Sequence, residues 1–329
     1  MTLSFEPGEC AQVDWGEYGS VNVGNTRRKL SFFVMVLCYS RLMYLEFTVS
    51  QTLEHFLNCN QNAFQYFGGV VKNVMVDKLK TAVLRRLIGE APVFNPRYLD
   101  FSRHCGFDIV ACNVGKGNEK GRVENGVGYV KKNFLNGLDI PDFSAVNPAA
   151  RHWLESIANV RIHGETHDQP IDRFQIEKSA LSPLPAMPYD VGAIHLVRVS
   201  NRFRVTVDTN RYSVPSEYAS TRLTLNVYPD HLVVYHHDKL IARHVRSYDR
   251  HQDFEDPDHP RELLAQRRKA CEQTLLDDLF SSLTGGLLRT VSKSAVSQAR
   301  QKLKASALVA LNDSLVGLLA TNGCPNRAG

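Results

Sequence analysis

Gly115-Lys-Gly-Asn-Glu-Lys-Gly-Arg-Val-Glu-Asn-Gly-Val-Gly-Tyr-Val-Lys-Lys-Asn-Phe134 is the stretch whose reading decides the fold. Its first half is a loop rich in glycine and lysine. From about Glu119 the pattern turns helical, because Val123, Val127, Val130 and Phe134 recur at i, i+4, i+7 and i+11. Those four residues form one apolar stripe that needs a core. Glu124 lies one residue off the stripe, on the side that carries Gly128 and Lys131. Two readings fit Glu124 by itself: a solvated carboxylate on an amphipathic helix, or a metal ligand aimed at an anionic polymer. The upstream chain bears on the choice.

Cys10-Ala-Gln-Val-Asp-Trp-Gly16 reads as a short strand with Asp14 near its C-terminal end. Gly24-Asn25 then separates a second short run, Gly19–Val23, from the apolar Leu30–Cys38. Leu42–Val49 follows after a tight connection at Tyr39–Arg41. A helix from roughly Thr52 to Phe67 uses Leu53, Phe56, Leu57, Phe64 and Phe67 as its core face, and Gly68-Gly69 stops it. Val70–Asp77 is a strand that again ends on an aspartate, Pro96–Cys105 a helix opened by its proline, and Phe107–Cys112 a strand. The order is three strands, helix, strand, helix, strand, helix. A meander of three antiparallel strands, joined by two parallel strands that arrive through helical crossovers, gives a mixed five-stranded α/β sheet with flanking helices.

Asp14, Asp77 and Glu124 are separated by 63 and 47 residues. With the first and fourth strands as neighbours, the two aspartates meet and the last helix sets the glutamate beside them. Carboxylates a few Å apart raise one another's pKa unless a cation compensates them. Hard oxygen ligands favour Mg²⁺ or Mn²⁺ over zinc. Two such ions about 4 Å apart activate a water or a 3′-hydroxyl and stabilise the leaving oxygen of an in-line phosphoryl displacement. Lys116, Lys120, Arg122, Lys131 and Lys132 bracket Glu124, and Lys78 and Lys80 follow Asp77. Cations around a carboxylate site suit a phosphodiester backbone, although a solvated charged face explains any single one of them equally well.

The segments Ala11-Gln-Val-Asp-Trp-Gly16, Val76-Asp-Lys-Leu-Lys-Thr-Ala-Val83 and Lys120-Gly-Arg-Val-Glu-Asn125 resemble the three motifs of IstA-type insertion-sequence transposases. These are members of the DDE transposase and retroviral integrase superfamily, with a ribonuclease H-like fold. The resemblance spans about residues 5–270, through Asn159-Val-Arg-Ile-His-Gly164 and Ser247-Tyr-Asp-Arg-His-Gln-Asp253. It implies that Asp14, Asp77 and Glu124 are the catalytic metal ligands for two Mg²⁺ or Mn²⁺. It further implies 3′-end cleavage and strand transfer of an insertion element, homo-oligomers on element-end and target DNA, and an AAA+ ATPase helper as partner. Lys78 stands where the family pattern has asparagine.

Downstream, Pro170–Pro188 reads as a linker, with prolines at 170, 183, 185 and 188. From His195 to about 250, two-residue alternation over five or six short runs predicts a small antiparallel β-barrel, similar to that of Mu-like transposases. This part carries 9 Lys+Arg against 5 Asp+Glu, whereas residues 1–190 carry 20 of each. The expected division is therefore a ribonuclease H-like integrase catalytic domain (1–170), a proline-rich linker (171–190), a β-barrel (191–250), and an acidic linker with a helical tail (251–329). Residues 292–303 resemble the N-terminal region of a different insertion-sequence transposase family, which suggests a foreign junction segment. Only 13 residues precede Asp14, where the family carries a helix-turn-helix region. The alternative expectation is therefore a catalytically silent DNA-binding remnant. A net charge of +5 is compatible with an anionic partner without requiring one. Seven cysteines without zinc spacing point to reduced thiols in a bacterial cytoplasm, nucleoid-associated when DNA is bound. Neither a signal peptide nor a membrane span is expected.

Overall fold

The computed structural model describes residues 4–76, 82–85, 92–112, 121–138 and 142–283. The run Leu30–Leu37 is buried at every position because both faces of its strand are covered, as a continuous apolar run demands. That strand is β2 (Thr26–Leu37), lying between β1 (Cys10–Val23) and β3 (Met43–Thr48), both antiparallel to it. β4 (Asn73–Val76) pairs parallel with β1. After the small hairpin of β5 (Val83–Arg85) and β6 (Val93–Phe94), β7 (Asp108–Ala111) pairs parallel with β4. The sheet order is β3-β2-β1-β4-β7, the mixed sheet that the run order predicts.

Alternation splits the apolar residues between two cores. Phe33, Met35 and Leu37 face α1 (Leu53–Phe67) and α2 (Pro96–Cys105), and pack with Phe56, Phe64, Tyr98 and Phe101. Phe32, Val34 and Val36 face α3 (Gly121–Tyr129) and α4 (Phe143–Trp153), with Val123, Val130, Phe134 and Trp153. The α3 stripe is thus buried as its spacing predicts, although its last turn widens into a π-helical turn at Val130–Phe134. Gly68 caps α1 in the left-handed conformation at φ 73°, where any side chain would be strained.

Three local expectations change. Cys10–Gly16 and Gly19–Val23 are one strand, because a register shift between Glu17 and Ser20 absorbs the irregularity without ending the ladder. Asp14 therefore does not end its strand. The apolar residues Trp153, Ile157 and Val160 predict a helix starting near Pro148, but α4 starts at Phe143, where Asp142 accepts from the Ser144 N–H at 2.7 Å, and Pro148 lies inside it. The stretch expected to be linker begins with α5 (Pro170–Glu177), which Pro170 opens at its first turn and which buries Phe174 and Glu177.

The outer edge of β3 is sealed by side chains. The Asn159 amide accepts from the Met43 N–H at 3.0 Å and donates to the Met43 carbonyl at 2.9 Å. Asn147 does the same for Phe47, at 2.7 and 3.0 Å. Two asparagines thus occupy positions that another strand would take.

Residues 193–254 form β8 (Ala193–Arg198), β9 (Arg204–Val207), β10 (Asn210–Ser213), β11 (Arg222–Val227), β12 (His231–His236), β13 (Lys239–Val245) and β14 (Asp253–Phe254). Instead of one antiparallel ladder they make a four-stranded sheet, β13-β12-β11-β8, and a three-stranded sheet, β14-β10-β9, over a shared core. Two features divide them: Pro215, which has no N–H to donate, follows β10, and β14 pairs with β10 in parallel.

This part is joined to the α/β layer by polar contacts. Arg28 donates to the Tyr248 carbonyl at 2.8 Å, and Thr26 donates to Asp249. His55 lies 2.7 Å from Thr52 Oγ1 and 2.6 Å from the Tyr248 hydroxyl, with Glu54, Arg246 and Asp208 around it. Burial and the Arg246 charge, opposed by Glu54 and Asp208, hold the His55 pKa at about 4. The unfolded chain takes up this proton near its ordinary pKa and the folded one does not, so stability present above pH 6.5 is lost as pH falls toward 4. We expect roughly 3 kcal/mol of acid destabilisation from this group, and a flatter stability profile between those pH values in His55→Gln, read by urea unfolding.

A second unit begins at Glu262, and its described residues, as far as Leu283, lie on helix α6 (Arg261–Leu283). Among the described residues no helix is long and apolar enough to cross a membrane. Cys10, Cys38, Cys59, Cys105 and Cys112 are buried.

Candidate active site

The register of the sheet positions the first carboxylate. Asp14 is paired with Val34 and Gln12 with Val36, so both side chains lie on the face that α3 covers. Val13 is paired with Val76, the last described residue of β4, so Asp14 lies one residue beyond that pair. Its carboxylate is half-buried and Oδ1 accepts from the Trp15 N–H at 2.9 Å.

A residue that sequence reasoning left without a role ties the second element to this place. Gln12 is 1% exposed, and its Oε1 accepts from the Val123 N–H at 3.1 Å, while its Nε2 meets Met75 Sδ at 3.6 Å. One side chain thus links β1, β4 and the first turn of α3, satisfying one of the amides that helix geometry leaves open there. The signal that could have found it is a lone amide in an otherwise apolar strand, two residues before a candidate ligand. Gly126 lets α3 approach closely: a Cβ there would come within 3.2 Å of Val36 and 3.3 Å of Met43.

Glu124 follows Val123 and is exposed. Lys131 and Lys132 are exposed on the π-helical turn. Arg122 is half-buried, with its guanidinium 4.6 Å from the centre of the Phe5 ring. Asp77, Lys78, Lys80, Lys116 and Lys120 lie outside the described residues. Among the described residues no three His, Cys, Asp or Glu side chains are grouped to hold a metal ion. Trp15 packs edge-on against Phe33 with ring centres 5.6 Å apart, as a packing residue does.

Gln12→Leu is expected to cost about 1–3 kcal/mol by leaving the Val123 amide unsatisfied. Thermal unfolding would register that loss, and a change below 0.5 kcal/mol would mean that α3 is held by its apolar stripe alone.

The family described as "Mu transposase, C-terminal domain" matches residues 184–256. The transposase for insertion sequence element IS21 of Pseudomonas aeruginosa is 34% identical over 247 residues, covering 74% of this chain and 63% of that protein. The putative transposase for insertion sequence element IS5376 of Geobacillus stearothermophilus is 33% identical over 224 residues, 68% of this chain and 55% of that one. The catalytic core domain of BIV integrase overlays with a TM-score of 0.37 at 15% identity, covering 53% of this chain and 97% of that one. The chain spans between half and two thirds of the length of these two transposases. Over roughly three quarters of its residues, the chain is homologous to transposases of IS21-type insertion elements.

Proposed function

We propose that this chain is the DNA-processing core of an IS21-type transposase, a ribonuclease H-like domain of the DDE class that cleaves 3′ ends of an insertion element and joins them to target DNA. One observation carries the reading. The Gln12 tie to α3 and the Val13–Val76 register, which set β1 beside the last described residue of β4 and the first turn of α3, support it. Residues 1–170 are proposed as the catalytic part and 191–250 as the part that contacts DNA and neighbouring copies. The relatives' names support action on DNA elements.

Asp14, Asp77 and Glu124 are the proposed holders of two Mg²⁺ or Mn²⁺. The donors suit such ions: all are carboxylates, and no imidazole or thiolate is called on. Bound divalent ions would supply charge compensation and acidify a coordinated water or 3′-hydroxyl. The chain's own residues do the rest. Gln12 orients α3, the Trp15 N–H fixes the Asp14 carboxylate, and exposed Lys131 and Lys132 offer positive charge to a phosphodiester backbone. A second copy of the chain and an AAA+ ATPase helper complete the proposed assembly.

The test supplies pre-cut element-end DNA, target DNA and Mn²⁺ to the full chain and looks for joined strands on a denaturing gel. Joined product is expected. Salt-dependent duplex binding without any joining, under conditions where an intact relative joins, would identify a silent DNA-binding remnant.

A further inference from the structure

A second basic site lies beside α3. A cavity of about 210 Å³ is lined by Arg41, Arg122, Arg161, His163, Asn125 and Glu165, with Tyr129 and Gly126 on its helical wall. It is too small for a nucleotide, since pockets for such ligands run to about 300 Å³ and more. It has room for a tetrahedral oxyanion. Three guanidinium groups meet one carboxylate among the described lining residues, so the site carries excess positive charge.

Each arginine is deliberately placed. Arg41 is 7% exposed and sits at φ 66° in the β2–β3 turn, a left-handed backbone that strains a long side chain and not glycine. Its guanidinium meets Glu165 through two hydrogen bonds of 3.0 and 3.3 Å. Arg161 lies 4.0 Å over the Tyr129 ring and donates to the Ala158 carbonyl. His163 Nδ1 accepts from the Glu165 N–H at 3.2 Å, which leaves the Nε2 proton of the neutral ring as a donor. Burial lowers the Arg161 pKa. His163 is also lowered, by burial first and then by Arg161 and Arg41. Charges held together at this cost want an anion.

We propose that this cavity is a phosphate seat for the nucleic-acid backbone, gripped by Arg41 and Arg161 with His163 as a neutral donor. Asn125 lines it and Glu124 precedes Asn125, so the seat fixes the strand's register relative to the carboxylate site. The inference rests on the reading of the chain as a DNA-processing protein.

The experiment measures duplex DNA affinity of the full chain by fluorescence anisotropy across a series of NaCl concentrations. Arg161→Gln and Arg41→Asn are compared with wild type, Arg161→Lys serves as the charge-keeping control, and inorganic phosphate is tested separately by thermal unfolding. Asparagine tolerates the left-handed turn, so Arg41→Asn decides if Arg161→Gln fails to fold. Each neutralising variant is expected to bind about three- to tenfold more weakly and to lower the slope of log K against log salt by about 0.9. Arg161→Lys is expected to retain the slope. Wild-type slopes in both neutralising variants would overturn the seat while leaving the DNA-processing reading intact. Stabilisation by inorganic phosphate with those unchanged slopes would assign the cavity to a free anion, again overturning it. A wild-type chain with no salt-dependent DNA binding would overturn the parent reading instead, and the seat with it.

Discussion

Asp14→Asn and Asp77→Asn, made singly in the full chain, are expected to reduce joining of pre-cut ends by at least about 10³-fold, or roughly 4 kcal/mol of transition-state stabilisation. The amide keeps the size of the carboxylate and, at Asp14, an oxygen to accept the Trp15 N–H, so the fold should be indifferent to the change. What disappears is one negative charge from a site proposed to gather divalent cations. Removing a carboxylate also relieves repulsion with its neighbours, so without metal the melting temperature should hold or rise. That pairing of outcomes, activity lost and stability kept, distinguishes a ligand from a scaffold residue. Joining that survives at Asp77→Asn would take that residue out of the mechanism. Joining that survives at both would remove the DDE assignment altogether.

The second large effect is on stability. Asn159→Ala is expected to cost about 2–5 kcal/mol, because it strands the N–H and carbonyl of Met43 in a buried place. Asn159 is 2% exposed and also donates to the Tyr66 hydroxyl at 3.2 Å. Asn147 makes the same paired bonds to Phe47 but is only half-buried, so water can replace its amide and Asn147→Ala should cost nearer 1 kcal/mol. Urea unfolding of the two variants side by side checks the ranking. Equal small losses would mean that water reaches the whole edge of β3.

Much of this architecture was legible where the determinant is local. The apolar run of β2, the spaced phenylalanines of α1 with Gly68 after them, and Pro96 opening α2 each carry their own signal, and the structure follows them. The valine stripe of α3 was equally plain. Local reading failed where a distant partner decides. Nothing near Asn159 indicates that its amide will complete a strand 116 residues earlier, and nothing near Gln12 announces a bond 111 residues away. The break between Gly16 and Gly19 looked like a strand end because a β-bulge and a turn share the same residues. Of the candidate site, Asp14 and Glu124 are assigned to β1 and α3 as read, whereas Asp77 lies outside the described residues.

The sealed margin of β3 has a consequence for synthesis. Met43 and Phe47 leave the ribosome 116 and 100 residues ahead of the asparagines that will cover them. At about 5–20 residues per second, that interval lasts on the order of 5–20 s. Throughout it the three-stranded meander presents bare amides along one border, to which a neighbouring nascent copy on the same messenger could add a strand. Yield in the cell should therefore depend on translation speed and chaperone supply as much as on the equilibrium stability of the finished fold.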